Sequence, residues 1–519
     1  INTPGDEMFP YIRSNGDLLF IYISIILTLI RVTMKCIFKQ ISNILISLLL
    51  FTACDSWLDV QPSDRIAEDR VFSEVSGFWG ALNGVYTEML SPNLYGGFLS
   101  YQGVEIMAQR YNITTVQTSF INFLQHAYTS ENVKLALQNY WDEAYKQILD
   151  CNNILKNAEK YHGDVLNDKQ YNLVKAEALA LRGFLHFDLL RMFGPVPANL
   201  NAAAIPYNES TSMTASAILT GNEVIEKVLI DLDEAEKILQ EWDPVVSEGL
   251  LMSVNENDRD NDGNTYRFRG LRLNYYAVVA LKARVYLWKG NTVEALRYAR
   301  MIIDNPDAET LYPSVTRAQA TDASNPDRSF SSEVLFSLLN EKKETIYDSY
   351  FNSSNANVST KLIPAAQRVM NLFGDDLLSD YRMSWWETSN SPGETDLLMN
   401  VRFRKIENTD LVYGKLMPLI RVSEMYLIAA ECATIEKDKY DYLNTHRFRR
   451  GNPNRIETNF DDELTKEYAK EFLCEGQLWF YYKRMNTSKI QSGATNSYIT
   501  MDNARYVPGL PDSEIKNRN

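Results

Sequence analysis

Apolar residues recur at helical spacing along most of this chain, and no stretch alternates in polarity long enough to build a large sheet. That pattern restricts the fold to a mostly α-helical one. Residues 71–90 carry a stripe through Phe72, Val75, Phe78, Trp79, Leu82, Val85 and Tyr86, and residues 139–158 repeat it through Tyr140, Ala144, Ile148, Cys151, Ile154 and Leu155. In residues 173–193, Ala176, Ala180, Gly183 and Phe187 share one face, whose small residues admit a close neighbour. Gly194-Pro195-Val196-Pro197 ends that helix: glycine suits a left-handed cap, and proline cannot extend the helix. Residues 222–240 predict a charged amphipathic surface helix. Residues 273–303 predict an αα-hairpin turning at Gly290-Asn291, with Tyr276, Ala280, Ala283 and Leu287 on one helix and Ala295, Tyr298, Ala299 and Ile302 on the other. This is the layout of a tetratricopeptide-type helix pair. Residues 418–433 and 464–485 predict further long helices. The expected fold class is all-α, with helix pairs stacked as a partial solenoid.

Three long stretches lack this periodicity: 91–130, 241–272 and 306–404. They are rich in Tyr, Trp and Phe, which disordered segments lack. A rigid helical frame carrying long aromatic loops suits a binding protein. The net charge of −15 over 519 residues argues against a nucleic-acid partner or an anionic membrane surface.

The N-terminal region points to the compartment. Lys35 and Lys39 precede an apolar run over residues 41–51, and Thr52 and Ala53 then lead to Cys54. A run this short suits a secretory signal better than a spanning helix, which needs about 20 residues. Cys54 is the expected lipidation site, residues 34–53 the signal peptide and residues 54–70 a lipid-anchored tether. Residues 1–33 are expected to be an upstream extension, with Met34 the natural start. A membrane hairpin, using the second apolar run at residues 18–30, is the alternative.

Signals for chemistry are sparse. Beyond Cys36 and Cys54, Cys151, Cys432 and Cys474 show no CxxC spacing, and the four histidines are scattered. Asp258, Asp260 and Asp262 fit the start of a calcium loop, but Arg269 occupies the position of its bidentate glutamate. A solvated acidic turn is expected there, with calcium the alternative; no other cofactor is implied. Glu424 and Glu431, with Arg421, are expected to form a helix-packing ion network rather than a catalytic pair, as are Glu471, Glu475 and Arg484. Neither a phosphate-cradling glycine loop nor a nucleophile elbow occurs, which disfavours an enzyme such as a two-carboxylate glycosidase.

Six motifs in order resemble the SusD/RagB-like outer-membrane lipoproteins of Bacteroidota. They begin with Cys54 and Trp57-Leu58-Asp59-Val60-Gln61-Pro62. Trp141, Tyr145, Ile148, Asn152, Ile154 and Leu155 come next, and then Ala176-Glu177-Ala178 through Phe193-Gly194-Pro195-Val196-Pro197. Ile420-Arg421 with Glu424-Met425-Tyr426-Leu427 and Glu431 follow, then Glu471-Phe472, Glu475-Gly476, Trp479-Phe480-Tyr481 and Arg484. Tyr506-Val507-Pro508-Gly509-Leu510-Pro511 closes the series. Tyr481-Tyr482 replaces the family's Asp-Leu, and the terminal motif is loosened; neither departure is expected to bear on ligand choice.

The resemblance implies a SusD-like N-terminal region (71–330) and C-terminal region (331–519) packed as one body. It also implies a non-enzymatic protein anchored in the outer membrane and facing the exterior, which captures a glycan for a SusC-like TonB-dependent transporter. Capture of a peptide or glycoprotein fragment is the alternative. A sugar packs its C–H face on a flat ring and its hydroxyl rim on short polar groups. The binding shelf that the resemblance implies falls at residues 95–120 and 341–386. The candidate contacts there are Tyr95, Tyr101, Gln109, Arg110, Tyr111, Asn112, Tyr347, Asp348, Tyr350, Phe351, Asn352, Trp385 and Trp386. Adjacent side chains diverge in extended backbone, so only one of Trp385 and Trp386 is expected to cover the ligand. Replacing both by alanine is expected to abolish glycan binding without unfolding the chain.

Overall fold

The computed structural model describes residues 69–212, 214–254, 264–389, 397–495 and 497–516, together with residues 26, 29–31, 33, 34 and 518. Cys54 and the acidic triplet Asp258, Asp260 and Asp262 therefore lie outside the described residues. Phe72–Asn519 forms one compact unit and Ile1–Val71 another. No helix among the described residues is long and apolar enough to cross a membrane.

The compact unit is built on a row of helices: α1 (Val75–Glu88), α2 (Glu131–Lys160), α3 (Asp168–Phe193), α4 (Gly221–Trp242), α5 (Tyr275–Lys289) and α6 (Thr292–Ile303). Each packs on its neighbours in sequence order, apart from α1, which rests on both α2 and α3. After α7 (Ala366–Phe373), α8 (Val422–Cys432) continues the row by packing on α6, and α9 (Glu436–Phe448) packs on α8. Last come α10 (Phe460–Glu471) and α11 (Gln477–Arg484). Strands occur among the described residues only as antiparallel pairs: β1 (Ala203–Pro206) with β2 (Ile218–Thr220), β3 (Val334–Leu339) with β6 (Leu416–Arg421), β4 (Trp386–Thr388) with β5 (Leu398–Asn400), and β7 (Lys489–Gln491) with β8 (Tyr498–Thr500). The architecture is mostly α, as the periodicity predicts.

Local chemistry explains the best-read elements. Asn167 caps α3, accepting from the Gln170 amide at 2.9 Å while the Gln170 side chain accepts from the Asn167 amide at 3.1 Å. Within α3, a Cβ at Gly183 would stand 3.3 Å from Leu232, so the missing side chain is what lets α4 lie close. The α5–α6 hairpin turns where expected. Gly290 takes a left-handed φ of 80°, and the Asn291 side chain accepts from the Glu294 amide at 3.1 Å.

Three local expectations fail. Gly194 is extended (φ −73°, ψ 170°) rather than left-handed, because Pro195 forces the residue before it out of helical space. Glycine is still required there, since a Cβ would meet the Leu190 carbonyl at 2.6 Å. The helix predicted from residue 418 begins at Val422, because the preceding six residues pair with β3 as β6. The single helix predicted over 464–485 is two, α10 and α11, broken where Cys474 (φ 60°) and Gly476 (φ 71°) turn left-handed.

The carboxylates of α8 and α10 are structural, with partners other than those expected. Glu424 pairs with Arg284 of α5 at 2.6 Å, not with Arg421, and Glu431 pairs with Arg484. Glu471 lies at the centre of a fully buried set, reached by Arg382 at 3.1 Å, Arg450 at 2.7 Å and Arg421. Burial acts to raise the Glu471 carboxyl, but Arg450 and Arg421 override it and hold the group well below the ordinary carboxylate range.

Candidate functional site

The two segments nominated for ligand contact do meet, but mostly inside the core. The Tyr101 ring packs 5.4 Å from Tyr350 and 5.5 Å from Phe403, and Phe351 lies 6.2 Å from Tyr111. These rings tie residues 95–111 to residues 347–351 and leave little surface to offer a sugar. Tyr95, Tyr101, Tyr111, Tyr347 and Phe351 are buried and are corrected from ligand contacts to supports. The Tyr95 hydroxyl donates to Asp188 at 2.8 Å, and that of Tyr111 donates to the Tyr101 carbonyl at 3.0 Å. The Gln109 side chain is committed to the Leu124 carbonyl at 2.7 Å. Asn112 and Asp348 are exposed, while Tyr350 and Asn352 are half-buried.

Trp385 and Trp386 diverge, although not along a continuous extended segment: Trp385 ends a 3-10 turn over Tyr381–Trp385, and Trp386 begins the strand that follows. Trp385 is 0% exposed, wedged 4.9 Å from Phe330 with the Arg402 guanidinium 4.3 Å over its ring. Trp386 opens β4, pairs with Asn400 of β5, and is half-buried on a satellite cluster of Val369, Phe373 and Leu398. Its other surroundings form the wall of a pocket of about 440 Å³.

That pocket is the candidate site. α7 supplies Arg368, Asn371 and Leu372 to it, and α10 supplies Asp462, Thr465 and Lys466. Tyr482 comes from α11, Lys489 and Gln491 from β7, and Tyr498 from β8. Of the nominated residues, Arg110 and Trp386 line it. The rings of Phe373, Trp386, Tyr482 and Tyr498 beside amide, hydroxyl and charged groups are the composition that a carbohydrate requires. The Tyr481-Tyr482 departure thus does reach the site, because Tyr482 stands in its wall.

The electrostatics run against those of the whole chain. Arg110, Arg368, Lys466, Lys470 and Lys489 face the pocket against one carboxylate, Asp462. Arg110 pairs with buried Glu105 at 3.0 Å, Lys466 with Glu463 at 2.6 Å, and Lys470 with Glu467 at 2.9 Å. Arg368 instead donates through Nη1 to the carbonyls of Gln109 and, at 2.9 Å, Ser492. Burial, with Arg110 nearby, pushes its guanidinium down to about 10, so it remains a cation at neutral pH. Among the described residues no cluster of His, Cys, Asp and Glu could hold a metal ion. Arg269, set against the calcium-loop reading, is instead buried between Asp243 at 2.8 Å and Glu177 at 2.6 Å.

Two family profiles match this chain: one described as starch-binding associating with outer membrane, over residues 56–246, and one for the SusD family, over residues 389–508. Together they span more than half of it, and the chain belongs to the SusD/RagB-like family. It is 30% identical over 210 residues to SusD-like protein P38 of Formosa agariphila, covering 39% of this chain and 38% of that one. It is 24% identical over 261 residues to SusD-like protein P2 of the same organism, covering 50% and 45%. The chain thus matches about half or less of the length of these curated relatives. Among solved structures, a SusD superfamily protein of Bacteroides thetaiotaomicron superposes with a TM-score of 0.66 at 23% identity, over 85% of this chain and 98% of that one. Surface glycan-binding protein A of the same species, in complex with laminarihexaose, gives 0.60 at 16% identity, over 86% and 98%. Both likenesses establish the SusD-like fold. Arg368 and Trp386 fall between the two matched segments, whereas α10, α11, β7 and β8 fall within the second.

Proposed function

We propose that this protein is a cell-surface lipoprotein that binds oligosaccharide or polysaccharide without cleaving it. In this reading Cys54 carries the acyl anchor, the body faces the exterior from the outer membrane, and the captured glycan passes to a SusC-like TonB-dependent transporter. The observation that carries the proposal is the pocket between α7, α10 and β7–β8. There Trp386 and Tyr498 offer ring faces, with the largely buried Tyr482 behind them in the wall, beside Asn371, Thr465 and Gln491, on a SusD-like frame. Sequestered carboxylates support a binding role, since Glu424, Glu467, Glu471 and Glu475 are each locked to arginine rather than turned toward the pocket.

Electrophoresis through gels containing different polysaccharides tests the binding. Retardation by at least one polysaccharide, with no new reducing ends on prolonged incubation, is expected. Turnover, or retention by peptides but by no carbohydrate, would sink the reading. Mass spectrometry of the membrane-extracted chain, looking for an acyl mass on Cys54, tests the anchor.

A further inference from the structure

The structure assigns an acidic ligand to this pocket: we propose that it selects oligosaccharides bearing a carboxylate or sulfate, with Arg368 holding the anionic group. The proposal rests on the pocket being a carbohydrate site and goes further, naming the class of sugar.

Three observations carry it. First, a chain of net charge −15 gathers five cations and one carboxylate around a single pocket. Second, Arg110, Lys466 and Lys470 have carboxylate partners, but Arg368 and Lys489 have none among the described residues. An unpaired, half-buried guanidinium is costly unless a counter-charge arrives. Only Nη1 of Arg368 is used, on two main-chain carbonyls; Nε and Nη2 make no hydrogen bond among the described residues. That free edge is the planar fork that matches two oxygens of a carboxylate or sulfate. Arg110 adds a buried Nη2 without an acceptor.

Third, the backbone around Arg368 is held in unusual geometry. Gln109, whose carbonyl accepts from Arg368, has a left-handed φ of 62°, rare for a residue with a side chain. Gly493, next to the second acceptor Ser492, sits so close that a Cβ would lie 2.1 Å from the Tyr111 carbonyl. Glycine and the strained glutamine together bring two carbonyls to one nitrogen and fix the direction of the rest of the guanidinium. A cation placed in this way without a counter-ion is oriented for a ligand.

The test measures affinity of the full chain for matched probes: oligogalacturonides and their carboxyl-reduced forms, and sulfated galactan oligosaccharides and their desulfated forms. At least one acidic member is expected to bind ten-fold or more tighter than its neutral counterpart, and which pair responds separates carboxylate from sulfate. Added salt should erode that preference. Arg368→Gln should abolish it, and Lys489→Gln, on an exposed residue, should weaken the acidic form several-fold. Should Arg368→Gln fail to fold, Lys489→Gln and the salt series decide, and a preference indifferent to both overturns the assignment. Binding of neutral glycans with no acidic preference in either pair overturns this proposal and leaves the carbohydrate reading standing. Failure of every carbohydrate, acidic or neutral, removes both.

Discussion

Two faces of α10 treat arginine in opposite ways. On the inner face, Glu467 and Glu471 neutralise Arg382, Arg421 and Arg450, and every one of these side chains is fully buried. On the other, Thr465 and Lys466 look into the pocket that Arg368 enters with only main-chain carbonyls for company. Matched charge makes the first region a clamp, whereas unmatched charge leaves the second ready for a partner. Lys483, by contrast, is fully buried on the Met192 and Gly194 carbonyls, so what sets Arg368 apart is that its guanidinium reaches a pocket.

The largest expected effect tests the clamp. Glu471→Ala leaves three buried arginines short of a counter-charge, and losing one member of a buried pair costs about 3–5 kcal/mol. Thermal or denaturant unfolding should show a loss of that size. A loss below about 1 kcal/mol would mean that the arginines are compensated elsewhere, and the contrast between the two faces would weaken.

The tryptophan pair gives the next contrast, and it splits the double replacement considered from sequence. Trp385→Ala empties a fully buried site and should cost about 3–5 kcal/mol of stability. Trp386→Ala removes a half-buried ring at the pocket wall. It should cost about 1 kcal/mol of stability or less and weaken glycan binding ten-fold or more. Equal losses of stability for the two would contradict the assignment of one to the core and the other to the site.

Acid should act on the two kinds of buried group in sequence. His126 and His186 are kept neutral by burial, which pushes them down to about 4 and about 3. His186 is fixed at both nitrogens, Nδ1 donating to the Arg182 carbonyl at 2.9 Å and Nε2 accepting from the Asn208 amide at 3.0 Å. Because the folded values are depressed, the unfolded chain takes up protons first as pH falls. The stabilisation is therefore complete above about 6.5 and is lost on the way down to pH 3–4, with a ceiling of roughly 3 kcal/mol for His126 and roughly 5 kcal/mol for His186. Glu467 and Glu471, held well below the carboxylate range, are expected to give way only later, below about 4.3. Buried Lys343, pushed down to about 7, lowers stability gently already between pH 8 and 7, and melting temperatures should fall more steeply once pH drops below about 6.5. A plateau down to pH 4.5 would show that the histidines do not govern the first phase.

What could be read from sequence was local. Gly290-Asn291 sets its own turn, so that hairpin was legible, and the apolar face and the Gly194-Pro195 stop marked the body and end of α3, whereas its start, capped by Asn167 and Gln170, was placed five residues late. The break between α10 and α11 was not, because Cys474 is held left-handed by distant partners. Its sulfur takes the Asn400 side chain at 2.9 Å, and a Cβ on neighbouring Gly476 would strike the Leu99 carbonyl at 2.0 Å. The site was legible in part for the same reason. Composition marks where rings are abundant, not which of them face solvent, and Tyr101 and Phe351 bury each other across 250 positions. Arg368 stayed hidden because α7 is only two turns long inside a stretch without visible periodicity. Its importance lies in the carboxylate it lacks, which no local pattern records. Tyr482 did carry a signal, the departure from the family motif, and its bearing on the site emerged only once α11 was placed beside α7.

The smallest expected effect concerns the rim. Tyr498 is 66% exposed on β8, opposite Gln491 of β7, and its ring holds no core together. Tyr498→Ala should leave the melting temperature unchanged, since a single exposed ring stands apart from the buried clusters. It should weaken glycan binding by about three-fold, the return from one solvent-screened stacking face of about 0.5–1 kcal/mol. Measured beside Trp386→Ala with the same oligosaccharide, the two losses should add, because the rings stand on different strand pairs and share no hydrogen bond. A Tyr498→Ala variant that binds as tightly as the parent would confine the ligand to the inner wall, between Trp386, Tyr482 and the unpaired guanidinium of Arg368.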